Sequence, residues 1–214
     1  MKKFAVAFIL FACVLLAACD SPAPTGAATT MPPPSPSDGG GDPPVTASPS
    51  PDSSVFDFAG LSDVLFVFSS GAGAWSTEVT IAADGTFSGY FSDSNMGDTD
   101  TDYPNGTVYY CSFSGKFSAP EKIGEHEYSM ICESITQEGT PDEAEIGDDG
   151  CRYITGFPYG FDNAGEFRLY LPGKNVSELP EEFINWMPMR NELEEVFPYY
   201  GLYNVAGAQG FCGQ

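Results

Sequence analysis

Residues 75–93 read WSTEVTIAADGTFSGYFSD. Trp75, Thr77, Val79 and Ile81 alternate with polar residues, and Phe87, Gly89 and Phe91 do the same after a short break. Alternation at period two marks a strand with one face in a core. The break decides how the two strands pair. A three-residue turn, Ala83-Asp84-Gly85, sets Ile81 opposite Phe87 and Thr77 opposite Phe91, with both apolar sets on one face. A two-residue turn would set Ile81 opposite Ser88 and send the two sets to opposite faces. The three-residue turn is therefore expected, with Gly85 in the left-handed conformation that glycine adopts at little cost.

The pattern continues along the chain. Tyr109, Cys111, Phe113 and Phe117 share one face, and Tyr128, Met130 and Cys132 share a face of the next strand. A register in which paired numbers sum to 243 sets Cys111 opposite Cys132 and Phe113 opposite Met130. The long loop between them admits other registers. Further strands are expected at 61–69, 150–156, 166–171 and 199–205. Pro180, Glu181 and Glu182 open a short helix near 180–187 that carries Phe183 and Trp186, and Pro188 ends it. Glu192, Leu193, Glu194 and Glu195 suggest another turn or two. About eight short strands with hairpin turns and little helix predict an all-β antiparallel meander, closed as a barrel or stacked as a sandwich.

The start of the chain is of another kind. Met1, Lys2 and Lys3 precede the uncharged run FAVAFILFACVLLAA, residues 4–18. A basic start, an apolar middle and small residues before a cut make a signal peptide, and the run is short of the roughly 20 residues that span a bilayer. Residues 20–54 follow, with ten prolines in 35 residues and no aromatic residue. Such a segment cannot bury enough apolar surface to order itself. As a polyproline-like stalk it would reach about 100 Å at about 3.1 Å per residue. The organisation expected is a signal peptide at 1–18, Cys19 with a stalk to 54, and one domain at 55–214.

Charge excludes some partners. The chain has 30 acidic and 8 basic residues and a net charge of −22. Lys2 and Lys3 lie in the signal peptide, and Asp20, Asp38, Asp42 and Asp52 lie in the stalk. Residues 55–214 therefore keep 26 acids and 6 bases, net −20. So acidic a domain repels nucleic acid and anionic surfaces and favours cations or basic partners.

Candidate chemistry is sparse. Cys111, Cys132, Cys151 and Cys212 permit two disulfides in three connectivities outside the cytoplasm, and no CxxC spacing suggests zinc. In the 243 register, Cys111 meets Cys132 as a cross-strand disulfide or a buried thiol pair, and Cys151 is left for Cys212. Asp93, Asp98, Asp100 and Asp102 crowd one loop, and oxygens two residues apart are what a calcium loop offers. The sixth and twelfth positions counted from Asp98 are Tyr103 and Tyr109, which excludes an EF-hand and leaves a looser calcium site or a solvated turn. The run DEAEIGDD, 142–149, reads as a solvated acidic loop. The one histidine, His126, has no nucleophile motif beside it, and no Walker A or Rossmann glycine pattern is present. Aromatic residues remain. Tyr153, Tyr159, Trp186, Tyr199 and Tyr200, with Tyr203, Phe157 and Phe161, would line a glycan or peptide surface, or else fill the core and its rim.

Several stretches resemble known families. Leu16-Ala17-Ala18-Cys19 resembles the lipobox of bacterial lipoprotein signal peptides. That resemblance implies a thiol lipidated at Cys19, cleavage before it and anchoring in a bilayer, for which two or three acyl chains suffice. Asp20 resembles the inner-membrane retention signal of enterobacteria, which has meaning only in a cell with an outer membrane. Gly73-Ala74-Trp75 resembles the GxW that opens lipocalin barrels, which implies an enclosed apolar ligand and a Trp75 that closes one end by packing. The stretches 93–118, 170–183 and 199–205 resemble uncharacterised lipoproteins of gut clostridia, which implies a Gram-positive-type surface and carries no activity. The expectation is a membrane-anchored, extracytoplasmic, non-enzymatic binding module for a small apolar molecule or a glycan. The alternatives are a structural or interaction protein of the envelope and a hydrolase that uses paired carboxylates.

Overall fold

The structure, a computed structural model, describes residues 56–214. The signal peptide, Cys19, Asp20 and the stalk lie outside the described residues. Eleven strands are present: β1 (Phe66–Ser69), β2 (Trp75–Ile81), β3 (Thr86–Asn95), β4 (Thr107–Phe117), β5 (Glu121–Gly124), β6 (Glu127–Gln137), β7 (Ala144–Ile146), β8 (Arg152–Thr155), β9 (Glu166–Tyr170), β10 (Tyr200–Asn204) and β11 (Gln209–Gly213). One short helix, α1 (Glu181–Asn185), and three 3-10 turns complete the described elements.

The 75–93 hairpin forms as its alternation requires. Ile81 lies opposite Phe87 and Thr77 opposite Phe91, and Gly85 takes a φ of 82°. From it the sheet extends in the order β1-β2-β3-β4, while β4 also pairs with β6 and β6 leads through β9, β10 and β11 back to β1. Eight strands thus close an antiparallel barrel, an up-and-down meander with two insertions. One insertion, β5, pairs antiparallel with the start of β6, Glu127–Ser129. The other, β7–β8, attaches to β4 through the one parallel pairing, Thr107–Tyr110 with Arg152–Thr155.

The interior is filled by rings. Phe66, Phe68, Phe87, Phe91, Phe113, Phe117, Phe167 and Phe211 all point inward and are buried. Gly115 makes room for them, because a Cβ there would collide with the Phe87 ring and the Ser134 carbonyl. A 3-10 turn, Phe58–Leu61, closes the barrel end that holds the Gly85 turn, with Phe58 and Leu61 buried. A second, smaller core lies outside the barrel. There α1 covers the outer face of β9–β11, and Phe183 packs on Tyr170, Phe197 and Tyr203 at 4.9, 5.6 and 5.7 Å between ring centres. Full burial of one such ring contributes about 1.5–3 kcal/mol.

Some expectations are corrected. The 243 register is not formed: Cys132 lies opposite Phe117, Phe113 opposite Gln137 and Cys111 opposite Phe91. A register shift at Lys116/Phe117 moves the parity that the alternation alone had set. All four domain cysteines are free thiols in this structure, the alternative to the disulfides. The strand expected at 61–69 begins only at Phe66, because Asp57 caps the preceding turn by accepting from the Ala59 N–H at 3.0 Å. The turn expected around 192–195 is a 3-10 turn at Arg190–Glu192. The short helix forms where Pro180 and Pro188 bracket it.

Candidate functional site

One end of the barrel carries a group of half-exposed aromatic rings. The connections at this end are 70–74, 96–106, 156–165 and 205–208. Trp75 opens β2 there and Phe68 lies near the end of β1, their ring centres 4.8 Å apart. Trp186, just past α1, packs edge-on against Phe68 at 4.7 Å and faces Trp75 at 6.2 Å. Tyr159, in the 156–165 connection, meets Trp75 edge-on at 5.3 Å and Phe91 at 4.6 Å. Trp186 and Tyr159 remain 39% and 36% exposed. Phe157, two residues before Tyr159, is 44% exposed.

Polar contacts fix this platform. The Trp186 indole N–H donates to the Ala208 carbonyl at 2.8 Å. The Tyr159 hydroxyl donates to Asp93 Oδ2 at 3.0 Å. Burial, with that hydrogen bond, pushes the Tyr159 phenol up to about 12. The 156–165 connection is latched from below. Phe161 enters the barrel and is 1% exposed, stacked among Phe87, Phe113, Phe167 and Phe211 at 5.2–5.7 Å. The buried Asn204 amide donates to the carbonyls of Gly160 and Asp162 at 3.1 and 2.8 Å. Gln209 Nε2 donates to Asp162 Oδ2 at 2.6 Å. The rings are therefore held rigidly, with the Asp93 and Asp162 carboxylates beside them.

The other predicted site residues are dispersed. Tyr153 lies on β8, its hydroxyl donating to Asp149 Oδ2 at 2.7 Å and its ring edge-on to Tyr110. Tyr199 packs on Phe197 beside the outer core, and Tyr200 packs partly against the barrel core. They share no surface with Trp186 and Tyr159. The aspartates also diverge. Asp98 pairs with Arg152 Nη2 at 2.5 Å, and Arg152 lies over the Tyr103 ring at 4.2 Å and donates to Thr107 Oγ1 at 3.2 Å. Asp93 is engaged by Tyr159, Asp100 accepts from the Thr101 N–H, and Asp102 is exposed. Among the described residues no three His, Cys, Asp or Glu side chains converge on a point that would hold an ion. Arg152 supplies the positive charge that neutralises Asp98. Burial raises the thiols of Cys111, Cys132 and Cys212, the first to about 11, so none is a ready nucleophile.

The lipocalin resemblance implied a Trp75 that only packs. Here it bridges the core and the platform. The sequence carried a signal for this in the shared end of the strands that Trp75 and Phe68 occupy. No family model matches the chain, and no curated protein or solved structure matches it.

Proposed function

We propose that the chain is a lipid-anchored, extracytoplasmic binding module whose aromatic platform, Trp75, Tyr159 and Trp186, takes a glycan. The single observation that carries this reading is a rigid group of half-exposed rings flanked by carboxylates. The apolar face of a pyranose stacks on such rings, and its hydroxyls donate to carboxylates such as Asp93 and Asp162. Aromatic side chains with two torsions lose little entropy on binding. The packed interior favours this site over an apolar ligand inside the barrel, since Phe161 and its neighbours occupy that space. Anchoring rests on Leu16-Ala17-Ala18-Cys19 alone; a Cys19→Ser chain recovered from the soluble fraction supports it, and one that stays with membranes refutes it.

The test uses a favourable accident of composition. The chain has two tryptophans, and both belong to the platform. Tryptophan fluorescence, excited apart from tyrosine, therefore reports on this site. The full chain is titrated with soluble cello-, chito-, xylo- and manno-oligosaccharides. A saturable change with one of them, lost in Tyr159→Ala and Trp186→Ala variants that keep their circular dichroism, is the expected result. A flat response to all four overturns the glycan reading.

A further inference from the structure

The closed barrel has no edge, but the two insertions end in free edges, β5 and β7. The β7 edge is chemically marked. In its antiparallel ladder with β8, Glu145 lies opposite Tyr153, the Thr155 N–H donates to the Glu143 carbonyl at 3.0 Å, and the Gly147 N–H donates to the Cys151 carbonyl at 2.9 Å. The Glu143 carbonyl, the backbone groups of Glu145 and the Gly147 N–H therefore face β8. Because inward and outward groups alternate along an antiparallel strand, the N–H and C=O of Ala144 and Ile146 point away from β8, to the side where the sheet ends. All three β7 residues are exposed, Ile146 by 53%.

Side chains at this edge also alternate. Glu143 and Glu145 project to one face, Ala144 and Ile146 to the other. Five of the eight residues 142–149 are acidic. Short, charged edges are how proteins deter edge-to-edge association. Here the deterrent is selective. A second copy of a chain with net charge −22 is repelled, while a basic strand is attracted.

We infer that β7 is an acceptor edge for an extended peptide segment in which basic and aliphatic residues alternate, added to the eleven-stranded sheet as one more strand. Its main chain would pair with the outward groups of Ala144 and Ile146. Its basic side chains would face Glu143 and Glu145, and its aliphatic ones would lie beside Ile146. This surface is separate from the aromatic platform, so either reading stands without the other.

The test is anisotropy of a fluorescein-labelled octapeptide alternating lysine and valine, titrated with the full chain, against the same peptide with glutamate for lysine. The lysine peptide is expected to bind saturably and to weaken severalfold as salt rises, and the glutamate peptide not to bind. Ile146→Pro removes one outward donor and leaves the β7–β8 bonds in place, because that N–H does not face β8. It should lower affinity about tenfold, the equivalent of one lost hydrogen bond. Ala144→Pro should do the same. Hydrogen exchange on the native chain gives an independent readout: the Ala144 and Ile146 amides should slow when the lysine peptide is added. Failure of the lysine peptide to bind overturns the inference. So does binding that leaves both amides unprotected, or that both folded proline variants retain, since charge alone would then hold the peptide. A change in tryptophan fluorescence on peptide addition would place the peptide at the aromatic platform and overturn it as well.

Discussion

Phe161 reaches the centre of the barrel from a connection and not from a strand, and its removal tests whether that connection is part of the core. The ring is 1% exposed and sits among four phenylalanine rings contributed by β3, β4, β9 and β11. In Phe161→Ala the lost transfer free energy is about 2 kcal/mol. The space vacated is about 100 Å³, which adds up to about 2 kcal/mol if the surrounding rings do not collapse into it. The expected loss is therefore about 3–5 kcal/mol, within the range of buried Phe→Ala changes. Urea unfolding of the full chain, followed by circular dichroism, measures it as a lower midpoint at unchanged slope. The vacated space is lined by apolar rings, so the variant should also gain affinity for a benzene-sized molecule. A loss below about 1 kcal/mol, the size of an ordinary surface change, would refute the reasoning. It would mean that the eight-stranded wall closes on itself and that the connection is an ornament.

Other expectations follow from the same packing. Asn204→Ala removes the donor to the buried Gly160 carbonyl and the part-buried Asp162 carbonyl and should cost about 1–3 kcal/mol, read as a lower Tm, with earlier proteolysis of the 156–165 connection. Gly115→Ala forces a methyl group into the Phe87 ring and the Ser134 carbonyl and should cost about 1–3 kcal/mol in urea. The buried thiols make stability fall at high pH. Their folded pKa values lie above the unfolded value of about 8.5, so the folded state resists ionisation. The stability is full below about pH 8.5 and declines as pH rises toward about 11 for Cys111. Melting between pH 7 and 11 should show that decline, and a Cys111→Ala chain should show less of it.

The first hairpin was legible because turn parity left one answer: only a three-residue turn keeps Ile81 and Phe87 on one face. The pairing of β4 with β6 was not. An insertion, β5, and a register shift at Lys116/Phe117 intervene, and a single shifted residue undoes a count of alternation. The strand β11 escaped because two of its five residues, Gly210 and Gly213, have no side chain to show the period. Trp186 and Tyr159 could be named as surface aromatics, but so could Tyr153, Tyr199 and Tyr200. Period and composition tell which face a ring takes within its own strand; they do not tell which strands end side by side. Phe161 lies in an irregular connection, where no period exists to mark it as core. The aspartates of 93–102 looked like one cluster because they are close in sequence, yet Arg152, about 50 residues on, draws Asp98 to itself.

Tyr159 and Phe161 are two residues apart in one connection, and this joins the core to the proposed ligand surface. The energy that seats Phe161 among four rings, with the Asn204 latch on Gly160 and Asp162, also fixes where Tyr159 stands against Trp75. A ligand that meets a platform already in place does not have to order it, and each side chain left to be immobilised on binding would cost about 0.5–1.5 kcal/mol. Phe161→Ala should therefore weaken oligosaccharide binding severalfold at a temperature where the variant is still folded, although Phe161 is buried beneath the platform. Asn204→Ala should do the same, while Leu61→Ala, in the turn that closes the opposite end of the barrel, should lower stability and leave affinity unchanged. Fluorescence titration of the three variants separates the cases. If affinity follows overall stability across all three, the platform is held by the barrel as a whole, and the coupling through 156–165 is wrong.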